Sequence, residues 1–234
     1  MSSVIRTVCA VIALMIVPIA TLADRIAVIG TGSVGSGLGP EFAALGHDVV
    51  YGSRDPSRDE VQALVERTGG NAAATTPADA ARNADIVVLA VPGRLAAQIA
   101  GDLGDLSGKI IIDPTNHYER DKDGIPRMLT LPSNAEAIQA AAPGAMVVKA
   151  FNTLNWQQMV EPDSSGGPIT IPLVGDSEDA KATVASLVEG LGLEAIDLGP
   201  LRYAGHVEGM LIVWMNARMT GQPFDYHLRR KPAQ

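Results

Sequence analysis

One cysteine, Cys9, stands in 234 residues, and it falls inside the first apolar stretch. A disulfide framework and a thiolate zinc site are therefore excluded, and so is a thiol nucleophile if that stretch is removed. Basic residues are outnumbered, 18 Lys+Arg against 26 Asp+Glu, for a formal charge of −8. A protein that grips phosphates along a nucleic acid needs a dense cationic surface, so no nucleic-acid partner is expected. Charged residues make up only 19% and hydrophobic ones 47%, a balance that buries a sizeable core and excludes a disordered polymer. No GxSxG, no HExxH and no paired histidine spacing occurs, so neither a catalytic serine nor a metal site is expected.

A long hydrophobic run is missing as well. Val8 to Leu22 gives about fifteen apolar residues, short of the roughly 20 that a membrane-spanning helix needs, and Pro18 sits near its end. Arg6 precedes the run and Ala20-Thr21-Leu22-Ala23 follows it before Asp24-Arg25, which is the anatomy of a signal peptide over residues 1–23, cleaved after Ala23. That predicts an exported or periplasmic protein with no stable membrane span. An uncleaved anchor and a start placed too early, which would leave a cytoplasmic protein, are the alternatives.

From Arg25 onward the pattern alternates. RIAVIG at Arg25 to Gly30 reads as a strand buried on both faces. Val34, Leu38, Phe42 and Leu45 then recur at helical spacing, with Gly46 as the stop. Asp48 to Tyr51, Ile86 to Ala90, Lys109 to Asp113 and Met146 to Ala150 read as further strands, and Val61, Leu64 and Val65 as a helix face. Strands alternating with helices predict an α/β fold, a Rossmann-type doubly wound parallel sheet over residues 24–154. Pro40 falls inside the first helix, where it cannot bond to the Ser36 carbonyl, so a kink or a late helix start is expected, absorbed by Gly35, Gly37 and Gly39.

Residues 155–234 read as a small C-terminal α/β extension on the acceptor side. It opens with an exposed loop, Pro162 to Pro168, followed by a strand, Ile169 to Val174, placed at a sheet edge because Pro172 lies inside it. Ser177 starts a helix with Val184, Leu187, Val188 and Leu191 on its apolar face, and Leu193 to Leu198 is a last strand. The final helix, about His206 to Met219, is apolar on nearly all sides and could cover a second copy, which would make a homodimer. Trp156 and Trp214 read as packing, and Arg229-Arg230-Lys231 as a solvated tail.

The chemistry begins where the first strand ends. Gly30-Thr31-Gly32-Ser33-Val34-Gly35 is a GxGxxG loop between strand and helix, where glycines permit a tight turn and close approach of a pyrophosphate to free helix amides. The second strand ends in Gly52-Ser53-Arg54-Asp55-Pro56-Ser57-Arg58. A carboxylate there would favour NAD; Arg54 and Ser53, with Arg58 a few residues on, favour the 2′-phosphate of NADP.

GTGSVG, GSRDPSR, ADIVVLAVP at 84–92, IIIDPTN at 110–116, VVKAFNTL at 147–154, VGDSEDAK and LGPLRYAGHVE occur in that order. In this the chain resembles the NADPH-dependent deazaflavin (coenzyme F-420) reductase family, and it is similar too to the reductase domain of six-transmembrane metalloreductases. Within the cofactor-binding loop Gly30 to Gly35, the resemblance implies that Thr31, Gly32, Ser33 and Val34 cradle the pyrophosphate and that Ser53, Arg54 and Arg58 hold the 2′-phosphate. It also implies that Val91 and Pro92 line the adenine and ribose side, and that Lys149, Ala150, Phe151 and Asn152 border the nicotinamide. It implies hydride transfer between two cofactors laid face to face, with no catalytic side chain, so that the protein contributes positioning. The partner is then a small-molecule redox acceptor: a deazaflavin, a flavin, a metal chelate, or a small imine or carbonyl compound. A non-catalytic NADP(H) sensor or scaffold is the alternative. His47, His117, His206 and His227 read as surface or capping residues, His117 and His206 lying nearest the strand ends. Glu208 reads as a structural acceptor at a helix start, and Lys149 as a charge paired with phosphate or backbone.

Overall fold

A β-branched run with no polar alternation has to be covered on both faces, and the strands of this chain obey that demand. In the computed structural model, which describes residues 23–128 and 132–231, Ile26 to Ile29 and Ile86 to Leu89 are all buried. The expected leader lies, but for Ala23, outside the described residues. In chain order the elements are β1 (Arg25–Ile29), α1 (Ser33–Ala44), β2 (Asp48–Gly52), α2 (Asp59–Thr68), β3 (Ala73–Thr75), α3 (Pro77–Arg82), β4 (Ile86–Leu89), α4 (Gly93–Asp102) and β5 (Ile110–Asp113). There follow β6 (Tyr118–Arg120), β7 (Pro126–Met128), α5 (Asn134–Ala141), β8 (Met146–Lys149), α6 (Trp156–Val160), β9 (Thr170–Gly175), α7 (Glu178–Gly190), β10 (Glu194–Asp197) and α8 (Ala204–Met219).

Eight strands form one sheet in the order β10-β9-β8-β5-β4-β1-β2-β3, parallel except between β8 and β9. Helices cover both faces. Leu38 and Phe42 of α1, Leu64 of α2, Met159 of α6 and Val184, Leu187 and Val188 of α7 pack on one face. Ala80 and Ala81 of α3, Ala96 and Ala100 of α4, Ala135 and Ile138 of α5 and Val207 of α8 pack on the other. The doubly wound sheet expected from sequence is therefore the observed architecture. Among the described residues no helix is long and apolar enough to cross a membrane.

Several local expectations are corrected. α1 begins at Ser33 and runs through Pro40 with no late start, because the Ser36 carbonyl that Pro40 leaves unbonded accepts Arg67 Nη2 at 3.0 Å. Leu45, placed on the apolar stripe, lies just past the helix and is exposed. Gly39 is required by packing, since a Cβ there would lie 2.1 Å from the hydroxyl oxygen of Tyr51, which is buried and bonded to Thr68 Oγ1 at 2.7 Å. Pro172 does not sit in an edge strand, since β9 lies between β8 and β10. Thr170 N turns away from β10 to Tyr226 O. By alternation Pro172 N points the same way, and β8 pairs on that side only with Val174 and Gly175, so the missing donor breaks no ladder.

Arg229, Arg230 and Lys231 are exposed, as a solvated tail should be, yet the tail is tied down. Beyond α8 the chain returns along β9: Thr170 N donates to Tyr226 O at 2.8 Å, Leu228 N to Thr170 Oγ1 at 2.9 Å and Arg230 Nη2 to Asp197 O at 3.0 Å. The strap is pinned by Asp225, whose carboxylate accepts Gln158 Nε2 at 2.6 Å, Trp214 Nε1 at 3.1 Å and Ser165 Oγ. Burial pushes the Asp225 carboxyl up, but these three bonds and the nearby His227 outweigh it and hold the group below the usual carboxylate range.

A depressed native value means that the stabilisation is complete above the unfolded value near 3.9 and is lost as pH falls through the native one. Asp225→Asn should lower stability at neutral pH by about 1–3 kcal/mol, and the gap to the parent should close below about pH 4. Thermal melts at a series of pH values check this, and a gap that stays constant into acid would show that shape, not charge, is what the variant loses.

Candidate functional site

The strand order reverses between β1 and β4, and in such sheets a crevice opens there at the carboxyl ends of the strands. Its walls are brought together by glycine. Gly30 has φ +104°, and a Cβ on it would lie 2.3 Å from Ala90 O, so the turns after β1 and β4 touch. A Cβ on Gly35 would lie 2.1 Å from Gly30 O, which sets α1 directly against β1. Gly32 is different: nothing lies within 4 Å of a Cβ placed there. It is the N-cap of α1, no side chain caps that helix and its first turn holds no acidic residue. Thr31 and Val34 are half-buried while Gly32 and Ser33 are exposed. Uncapped amides facing open space are what a pyrophosphate requires.

At the end of β2, Ser53 N donates to Thr75 O at 2.9 Å, while Ser53 Oγ donates to Asp55 O at 3.0 Å and holds a tight turn. Asp55 is occupied with Ser57, through Ser57 Oγ at 2.7 Å and Ser57 N at 3.1 Å. Arg54 is exposed and has no hydrogen bond or ion pair among the described residues. The neighbouring carboxylate therefore leaves it available for an anion. Arg58 begins α2 and pairs with Glu60 at 3.3 Å on the open surface, where such a pair is weak and exchangeable. The Glu60 carboxyl is held below its ordinary range by its own backbone amide first and then by Arg58.

At the end of β4, Val91 is half-buried and Pro92 is exposed as the N-cap of α4. Gly93 lets that helix close on the loop after β5: a Cβ there would meet Asn116 O at 2.4 Å. Arg94, exposed in the first turn of α4, adds a cation to this edge that sequence reasoning passed over. Its position just after the Val91-Pro92 turn that follows β4 was the available signal.

Lys149, Ala150, Phe151 and Asn152 come together at the end of β8, all with side chains enclosed. Phe151 has φ +63°, the one non-glycine residue with positive φ among those described. A left-handed aromatic residue costs on the order of 1–3 kcal/mol and persists only where its surroundings impose it. Here Asn152 Nδ2 donates to Asn116 Oδ1 at 2.9 Å and to Val207 O at 3.1 Å, while Asn116 Nδ2 donates to Asn152 O at 3.0 Å. Asn152 Oδ1 and Thr153 Oγ1 are buried without a hydrogen-bond partner. Strain and unpartnered oxygens thus fall within three consecutive residues, Phe151 to Thr153.

Lys149 is buried and pairs with backbone, as expected, and with two carboxylates as well. Its ammonium lies 2.5 Å from Asp113 Oδ2 and 2.8 Å from Glu208 Oε1, with all three side chains fully buried, and it donates to Thr115 O at 2.6 Å. Asp113 Oδ2 takes no hydrogen bond beyond this ion pair, and Asp113 Oδ1 accepts Thr115 N at 2.8 Å and Thr115 Oγ1 at 2.6 Å. Glu208 does accept at a helix start, but at that of α5: Oε1 takes Asn134 N and Oε2 takes His117 N, both at 2.9 Å. His117 is half-buried with Nδ1 3.1 Å from Pro132 O, and His206 is exposed beside Tyr203. His47 Nδ1 accepts Asp24 N at 3.2 Å, and His227 Nδ1 lies 3.0 Å from Pro168 O. Hollows at the opposite, amino edge of the sheet, beside Asp85 and Lys109 and beside Asp48 and Asn71, gather none of the expected residues.

The chain is similar to known proteins in sequence and in fold. Residues 25–117 match the family model "NADP oxidoreductase coenzyme F420-dependent". The F420-dependent NADP reductase of Methanothermobacter thermautotrophicus is 32% identical over 229 residues, covering 90% of this chain and 97% of that one. Metalloreductase STEAP3 of Rattus norvegicus is 28% identical over 191 residues, 80% of this chain, which spans only 36% of that protein's length. The solved structure of an Arthrobacter sp. FB24 protein assigned as an F420-dependent NADP-reductase superposes with a TM-score of 0.80 at 31% identity, covering 89% of this chain and 100% of that one. With such a relative matching 90% of its length, the chain belongs to the coenzyme F420-dependent NADP oxidoreductase family and is an NADP-dependent oxidoreductase.

Proposed function

We propose that this enzyme transfers hydride between NADPH and a deazaflavin of the coenzyme F420 type in the crevice at the carboxyl ends of β1, β4, β5 and β8. The observation that carries the NADPH half is the open, uncapped glycine turn at Gly32 together with Arg54, which has no partner among the described residues, at the end of the adjoining strand. The deazaflavin half is supported by the Methanothermobacter relative, an F420-dependent NADP reductase. A flavin, a metal chelate or a small imine or carbonyl compound is the competing acceptor.

The amides of Thr31 to Gly35 hold the pyrophosphate, Arg54 and Ser53 hold the 2′-phosphate with Arg58 beside them, and Val91 and Pro92 cover the adenine and ribose side. Lys149 to Asn152 border the nicotinamide. Bound there, the cofactor supplies a hydride. No side chain has to accept or release a proton for that transfer, so the rate rests on how firmly the strand ends set the two rings in contact. Residues 24–154 bind NADP on this reading, and residues 155–234 complete the acceptor side.

NADPH oxidation by the purified chain, followed with the deazaflavin and with FMN in parallel, should show saturable turnover with the deazaflavin; turnover with FMN alone would move the acceptor to the flavins. Arg54→Ala removes the charge-assisted bonds to the 2′-phosphate, each about 1.5–3 kcal/mol, and should weaken NADPH by roughly one to two decades with little effect on NADH. Equal losses for both cofactors would remove Arg54 from the site. Gly32→Ala adds a methyl group where the protein leaves space, so NADPH affinity should fall with melting temperature nearly unchanged. Gly35→Ala meets a backbone carbonyl and should lower both, and a Gly32 variant that binds normally would place the pyrophosphate elsewhere.

A further inference from the structure

The cluster of Asp113, Lys149 and Glu208 holds more charge than it needs. Lys149 and Asp113 alone would neutralise each other at 2.5 Å. Glu208 adds a second carboxylate, and its bonding fixes its ionic form: the amides of Asn134 and His117 and the Lys149 ammonium can only donate to it. A protonated carboxyl would have no acceptor there. The cluster therefore carries one negative charge in excess, with all three side chains at 0% exposure. Such an excess costs stability, and apolar residues of equal volume would avoid that cost. It is tolerated because Thr115, His117 and Asn134 turn backbone amides onto the carboxylates. Asn134 also opens α5, so the positive end of that helix faces Glu208.

Its location gives the excess charge a use. Lys149 directly precedes the strained segment Ala150-Phe151-Asn152, and Asn116, next to His117, bonds that segment twice. If this segment borders the nicotinamide, as the function proposed above requires, the cluster adjoins the reacting ring. Hydride transfer takes two electrons and one proton from a neutral dihydronicotinamide. The acceptor takes these together with a proton from solvent, and the ring is left with one positive charge. We infer that the buried Asp113–Lys149–Glu208 cluster favours the oxidised, cationic ring over the reduced, neutral one and so promotes departure of hydride from NADPH. Glu208 acts as a positioning residue through charge, without touching the cofactor.

Glu208→Gln keeps shape and volume and brings the cluster to neutrality. Binding of NADP+, NADPH and adenosine 2′,5′-bisphosphate to the full chain, measured by titration calorimetry, separates a charge effect from a structural one. NADP+ should weaken about three- to tenfold relative to NADPH, tenfold corresponding to about 1.4 kcal/mol. The nicotinamide-free bisphosphate should bind as before, and single-turnover hydride transfer from NADPH should slow by a similar factor. Asp113→Asn removes the same charge from the β5 side and should move the ratio in the same direction, which serves where the Glu208 variant does not fold. If NADP+ and NADPH weaken equally, or neither changes, the cluster is only a clamp and the inference falls. If the parent chain fails to bind the bisphosphate at all, the NADP site itself is wrong and the inference falls with it.

Discussion

The carboxyl edge of the sheet depends on one ammonium group with no route to water. Lys149 ends β8, and Asp113, the last residue of β5, is its partner in the strand register. A lone buried cation is among the most expensive features a fold can carry, and removing one member of a buried ion pair typically costs about 3–5 kcal/mol. Asp113 answers it from the neighbouring strand and Glu208 from α8, far along the chain. The consequence reaches beyond those three residues. The turn after β5 is fixed through Thr115 and His117, and the start of α5 through Asn134. The segment after β8 is fixed through the Asn152 bond to the Val207 carbonyl. The strand ends are therefore tied to α8, which joins the C-terminal part of the chain to the carboxyl edge of the sheet.

The second constraint is directional. β9 runs against β8 and overlaps it only where Val148 meets Gly175 and Lys149 meets Val174. Thr170 lies four residue steps before Val174, so at about 3.3 Å per step β9 reaches roughly 13 Å past its last partner on β8. β10 follows it in parallel, pairing Glu194 with Thr170. The sheet thus grows upward at one side, above the level at which the other strands stop. A freestanding edge of that kind would be prone to pairing with other chains. The returning tail covers it at Thr170, with Asp225 tying the tail to α6 and α8.

Much of this was legible in the sequence, and what was not has physical causes. β1, β4, β5 and β8 announce themselves because strands buried on both faces admit hardly any polar residue, and the glycine loop because its spacing follows from a tight turn and a close helix. β3 was missed: Ala73-Ala74-Thr75 is three residues long and built mainly of weak strand formers. The β6–β7 hairpin was missed because Tyr118-Glu119-Arg120 shows no apolar alternation. Pro40 and Pro172 were misjudged because local rules see only the lost donor, whereas Arg67 supplies the bond to Ser36 from another helix and β8 stops short of Pro172. Lys149 and Glu208 look like ordinary polar residues in sequence. Their burial follows from β8 being covered on both sides and from α8 crossing the strand ends, and no short-range pattern encodes either fact.

Charge ties these observations to the cofactor. The chain as a whole is acidic, at −8, and yet Arg54, Arg58 and Arg94 stand exposed at the ends of β2 and β4 or in the helix turns that follow them. The cluster with excess negative charge lies at the other end of the crevice, under β5 and β8, and is closed to solvent. NADP+ has the matching polarity, with phosphates at the adenosine end and a cationic ring at the other. Exposed cations can attract and orient a polyanion from a distance while keeping their hydration until it arrives. A buried anion is unscreened, so it acts strongly but only on a group placed against it. On the proposed placement of NADP, the exposed arginines and the buried carboxylates form one arrangement whose polarity matches the cofactor's from end to end.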